Sequence, residues 1–191
     1  MTTYQQPDRD CLLCPRLVEF RRANQEKFPH FYNGPVRPFG PIDARLLIVG
    51  LAPGLKGANA TGRPFTGDYA GDLLYDTLKK FGFAKGTYDK RPDDGLELLD
   101  CRITNAVKCV PPENKPTGPE ANTCRPFLIS EFDAMTNLSA ILCLGQVAHQ
   151  AMMRTYGLKL SAFKFAHRAS HRMENGITLF DSYHCSRYNT Q

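Results

Sequence analysis

The 191-residue chain has no tryptophan, and only 10% of its residues are aromatic. No apolar run approaches the roughly 20 residues that a membrane-spanning helix needs. The opening MTTYQQPDRD lacks the apolar core of a secretory signal, so a cytoplasmic protein with no membrane partner is expected. Internal repeats and low-complexity tracts are missing, which excludes solenoids and disordered tails. No G-x-G-x-x-G is present, and Gly57-x4-Gly62 continues as Arg63-Pro64 where a phosphate-binding loop requires Lys-Ser or Lys-Thr. Neither a dinucleotide site nor a nucleotide triphosphatase is supported.

What remains is an ordinary globular composition, with 42% hydrophobic and 23% charged residues, enough for one domain over residues 1–191. Pro15–Lys27 reads as a helix and the proline-rich 28–41 as loop. LLIVG (Leu46–Gly50) and AILCLG (Ala140–Gly145) are continuous apolar runs of the kind found in buried parallel strands. Leu98–Asn105 and Ile177–Tyr183 read as two further strands. Helices are predicted over Tyr69–Phe81, Pro119–Met135 and Gln146–Tyr156. The alternation predicts an α/β fold, a central four-stranded parallel sheet flanked by helices. Ligands of such sheets bind beyond the carboxyl ends of the strands. Here those ends are Gly50, Asn105, Gly145 and His184.

Net charge is only +5, but it is unevenly spread: from Arg154 onward six Lys/Arg face two acids, beside His167, His171 and His184. That is either a solvated basic face or a phosphate-contacting surface. Cysteine is the residue in excess. Cys11-x2-Cys14 and the wider pair Cys109 and Cys124 lie in irregular or helix-start segments flanked by prolines, whereas Cys143 sits in a strand and reads as core. Reducing conditions argue against disulfides. Four thiolates suit either a closed tetrahedral zinc or a four-iron cluster, and the wide second spacing argues against a compact zinc ribbon. Between Gly50 and Gly71 six glycines in 22 residues form a long shaped loop, able to bring backbone N–H groups close to a ligand.

Four segments carry a specific resemblance: GLAPGLKGANATGRPFTGDYAG (50–71), ITNAVKC (103–109) followed by Pro111-Pro112, Phe165-Ala166-His167, and SYHCSR (182–187). Together they resemble the type b, or family 5, uracil-DNA glycosylases, from about Cys11 to Thr190. The resemblance implies the uracil-DNA glycosylase fold, a [4Fe–4S] cluster on Cys11, Cys14, Cys109 and Cys124, and DNA containing uracil or another deaminated base as partner. It also implies that the target base leaves the duplex stack and enters a pocket. The chain departs from the family pattern at Gly54-Leu55-Lys56, which replaces Ala-Ala-His, and at Arg168, which replaces Gly. Cys185 stands where the family has proline, a change expected to loosen that loop. The family normally continues past the position of Gln191, so a further segment is expected.

Cleaving a C–N glycosidic bond builds positive charge on the sugar and negative charge on the departing base. The resemblance implies that Asp68 activates the attacking water, although its place before a helix also suits an N-cap. Asn105 offers a donor and an acceptor to a uracil edge, and His184 donates to uracil O2. Phe65 is expected to stack on the base and the backbone at Leu51 and Ala52 to contact it. Arg187, Tyr188 and Asn189 are expected to probe the minor groove, with Lys164, Arg168 and Arg172 as candidate phosphate contacts. A monomeric, monofunctional hydrolase is expected. The alternatives are a damaged-base-binding protein of the same fold that turns over poorly, and a zinc-stapled nucleotide-binding module.

Overall fold

The structure, a computed structural model, describes residues 4–190. Six α-helices and seven strands follow one another as α1 (Pro15–Lys27), β1 (Leu46–Gly50), α2 (Ala58–Thr61), α3 (Tyr69–Lys80), β2 (Ala84–Lys85), β3 (Glu97–Leu98), β4 (Cys101–Asn105), α4 (Gly118–Ala134), β5 (Ala140–Leu144), α5 (Gln146–Thr155), β6 (Ser170–Arg172), β7 (Thr178–Ser182) and α6 (Arg187–Thr190). The main sheet has five strands in the order β4-β1-β5-β7-β6. Its four parallel strands are the four expected; β6 is an additional antiparallel edge strand paired with β7. Too short and too polar to show an apolar run, Ser170-His171-Arg172 becomes a strand only because the chain turns back at Asn175–Gly176 and pairs with its neighbour.

The expected strand 98–105 is broken. Glu97 and Leu98 pair with β2 in a separate hairpin, Asp100 takes φ +53, and β4 begins at Cys101. Asp100 turns out of the ladder to accept from Arg45 through backbone N and side-chain Nε at 2.8 and 2.6 Å. The 50–71 loop holds the single helical turn α2.

Alternation along β1 divides the core. Leu47 and Val49 join Ile141, Cys143 and Leu179 beneath α4 and α5 through Leu128, Ala148 and Met152. Ile48 joins Ile103 and Leu144 beneath α3 through Leu74, Tyr75 and Leu78. Covered on both faces, β1 carries no polar side chain, as a central parallel strand should. α4 starts with a capping box: Thr117 accepts from the Glu120 N–H and the Glu120 carboxylate accepts from the Thr117 N–H. It tolerates Pro126 in its interior. No helix among the described residues is long and apolar enough to cross a membrane.

Candidate active site

Beyond the carboxyl ends of β1, β4 and β7 lies a cavity of about 460 Å³, walled by Leu51, Ala52, Phe65, Asp68, Asn105 and His184 together with Gly54, Ala58, Tyr69, Ala70, Asn114, Ser186 and Arg187. It lies beside β1, where the chain passes first to β4 on one side and then to β5 on the other, the switch point at which open α/β sheets take ligands. All the residues expected to bind or act on the base are therefore brought together.

The loop from Gly50 is held from beneath. Arg63 is buried and forms a two-pronged ion pair with Asp94 at 2.8 and 2.7 Å, while its Nε donates to Thr66 Oγ1 at 2.8 Å. Phe39, Tyr75 and Tyr88 surround the guanidinium with ring faces. Burial works against the Asp94 charge, but the Arg63 fork and two backbone N–H donors hold its carboxyl well below the usual range. So anchored, the loop places Phe65 in a left-handed backbone conformation, φ +50, a cost characteristic of functional sites. A side chain at Gly71 would overlap the Phe65 carbonyl. One at Gly50 would overlap the Asn105 amide and the Phe65 ring, so the last residue of β1 must be glycine for both to reach the cavity.

Asp68 caps α3, its Oδ1 accepting from Gly71 N at 3.3 Å. Its other oxygen turns toward Gly54 and Gly57, so the cap role and the cavity role use different atoms. Asn105 ends β4 buried at 3% exposure. His184 lies two residues past β7, its ring 5.7 Å from that of Phe65 at 26°. Burial lowers the His184 pKa, and the Asp68 charge opposes that shift, which leaves a neutral imidazole with one N–H to donate at neutral pH. The set offers a carboxylate for water, an amide with both hydrogen-bonding senses, one N–H donor and an aromatic floor.

The Cys185 thiol donates to the Ala70 carbonyl at 3.4 Å and ties the chain after His184 to α3. Of the basic residues, Lys164 lies near the start of α5 beside Gln146, and exposed Arg168 donates its backbone N–H to Asp181 O at 2.9 Å. Arg187 lines the cavity, Tyr188 is 91% exposed, and Asn189 Nδ2 donates to His184 O at 2.9 Å. Arg172 is not brought to the site. It pairs with Thr178, the first residue of β7, about 13 Å of strand from the carboxyl end at 3.3 Å per residue. His171 turns inward and shares the buried Asp181 carboxylate with His149.

Sequence reasoning missed Asn114 and Tyr69. Asn114 reaches the cavity from a turn in which Glu113 and Asn114 both have positive φ. The Pro111-Pro112 pair before it was the only cue.

The four expected cysteines, Cys11, Cys14, Cys109 and Cys124, surround one small enclosure with Leu13, Leu17, Val107 and Phe127. Burial pushes the Cys14 thiol up to about 11 and the Cys109 thiol up to about 12, with neighbouring cysteines adding to both. Deprotonating all four needs a compensating positive centre, which a metal site supplies. Donors stand close: the Arg21 guanidinium Nη1 is 4.0 Å from Cys109 Sγ, and the Lys108 backbone N–H donates to Cys124 Sγ at 3.4 Å. Lys108 and Arg102 share one buried acid, Glu131, so two cations meet a single carboxylate beside the enclosure. Among the described residues the closely spaced group of metal-type side chains is His149, His171 and Asp181, away from these cysteines.

The sequence profile of the Uracil DNA glycosylase superfamily matches residues 37–191. A type-5 uracil-DNA glycosylase from Thermus thermophilus is 40% identical over 95% of this chain and 84% of its own length. Type-5 uracil-DNA glycosylases from Mycobacterium leprae and Pyrobaculum aerophilum are 38% and 36% identical, each over 94% of this chain and over 82% and 80% of their own lengths. Matches of this extent cover the cysteine segments, the glycine loop and the strand ends together, and the chain belongs to the uracil DNA glycosylase superfamily, alongside its type-5 members.

Proposed function

We propose that this chain is a DNA-repair enzyme that hydrolyses the N-glycosidic bond of uracil, flipped out of DNA into the cavity at the strand ends. The observation that carries the reading is the convergence of Asp68, Asn105, His184 and Phe65 on one cavity. Asp68 Oδ2 orients a water and accepts its proton as the water oxygen bonds to the anomeric carbon. The C–N electron pair leaves with the base. Neutral His184 donates to uracil O2 as negative charge develops, and a single such donor is worth about a hundredfold or more in rate. Asn105 reads the base edge and Phe65 stacks on its face.

The enzyme is read as monofunctional, with water and not a lysine amine as its nucleophile. Lys164, Arg168, Arg187, Tyr188 and Asn189 lie on the DNA side, and Arg172 falls outside that track. Cys11, Cys14, Cys109 and Cys124 would hold a [4Fe–4S] cluster, which supplies a structural tie between the N-terminal segment and the 109–124 loop carrying Asn114. We read the enzyme as a monomer of the reducing cytoplasm, where cysteines serve as ligands or buried thiols and not as disulfides.

The reading is tested with duplexes carrying uracil, hypoxanthine or xanthine. Uracil should be released, with the strand left intact until alkali treatment. Tight binding without release at enzyme excess would make the chain a damaged-base-binding protein instead.

A further inference from the structure

Tyr69 follows Asp68 directly, occupies the first position of α3 and lines the mouth of the cavity. Two contacts reach it from the chain that follows His184. The Arg187 guanidinium lies over its ring, 5.2 Å from the centroid, and Thr190 Oγ1 donates to its hydroxyl at 3.3 Å. The segment so held, α6, is four residues long and buries none of them. So short a helix has no stability of its own, and its position depends on what it touches. Asn189 fixes it to the His184 carbonyl; Tyr69 is the contact on the opposite, α3 side.

We infer that Tyr69 is a positioning residue for DNA binding: its ring fixes the Arg187 guanidinium at the cavity mouth, where the phosphate backbone of the strand bearing the flipped base would pass. The chemistry suits both halves. A guanidinium stacked on an aromatic face keeps its N–H edge free for phosphate oxygens. The tie also links the helix begun by Asp68 to the chain leaving His184, so the two sides of the cavity are held in register before DNA arrives. The inference rests on the glycosylase reading only for where the DNA lies.

The test is a double-mutant cycle on the Kd for a duplex with an uncleavable abasic-site analogue, using full-length Tyr69→Ala, Tyr69→Phe, Arg187→Ala and Tyr69→Ala/Arg187→Ala proteins. Tyr69→Ala should weaken binding about two- to fivefold, the worth of an exposed cation–π contact. Tyr69→Phe, which keeps the ring and loses only the hydroxyl, should stay within about twofold of the parent. The double variant should bind no more weakly than Arg187→Ala alone. Losses that multiply, a Tyr69→Phe as weak as Tyr69→Ala, or parent-like binding by Tyr69→Ala would each overturn the inference. Because the readout needs no turnover, a parent that binds this duplex but releases no uracil would remove the glycosylase reading and leave the Tyr69 cycle interpretable.

Discussion

Phe65 and His184 lie ring against ring, 5.7 Å between centroids, although one sits on the loop after β1 and the other beyond β7. The contact depends on the left-handed backbone of Phe65, which in turn depends on Gly71, where a side chain would overlap the Phe65 carbonyl. Backbone cannot yield as a flexible side chain would. Gly71→Ala is therefore expected to displace Phe65 and cut single-turnover uracil excision by about tenfold or more, as misplaced site groups do. Excision at the parental rate would show that Phe65 is not held this way.

His184 gives a pH prediction with a definite sign. Burial lowers its pKa below the ordinary 6.5 while Asp68 pulls it upward. An NMR titration should place its midpoint below 6.5 in the parent and lower still in Asp68→Asn. Protonation favours the unfolded chain, so this residue costs no stability above 6.5, and its penalty appears as the pH falls from there through the folded value. A midpoint that rises in Asp68→Asn would contradict the placement of the two groups.

The glycine loop should fail through its anchor. Arg63→Met strands the Asp94 carboxylate in a buried site, a loss expected to cost about 3–5 kcal/mol in denaturant unfolding. The Asp94 pKa is lowered from 3.8, so the pair's contribution is present above that value and lost as pH falls toward the folded one. A cost under about 1 kcal/mol, typical of an exposed pair, would contradict the anchoring role.

The cysteine enclosure predicts a coloured protein with about four iron atoms per chain. Cys109→Ala should lose the visible absorption and unfold at lower temperature. It should also excise more slowly, because Cys109 and Cys124 bracket the turn that brings Asn114 to the cavity. A colourless parent with one zinc per chain would exclude the cluster.

The strand ends were legible because LLIVG and AILCLG carry their burial in their composition and because a parallel sheet fixes where ligands go. Asp68 could be read twice, as cap and as acid; the structure shows the cap through Oδ1 and turns Oδ2 toward Gly54 and Gly57. β6 was not legible, since its strand character comes from pairing with β7 and not from its own residues. Nor was the break at Asp100, which the distant Arg45 creates. Arg172 joined the basic list on charge alone, and charge carries no register; pairing with Thr178 moved it to the far end of the sheet edge. Tyr69 was hidden for the same reason, because its partners Arg187 and Thr190 arrive from the end of the chain.

The most direct test of the account is single-turnover excision of uracil from a duplex oligonucleotide by the parent, Asp68→Asn and His184→Ala at saturating enzyme. The account predicts rapid release by the parent and a fall of about a hundredfold or more in each variant, as expected when water activation or a developing-charge donor is lost. Parental rates in both variants would contradict it.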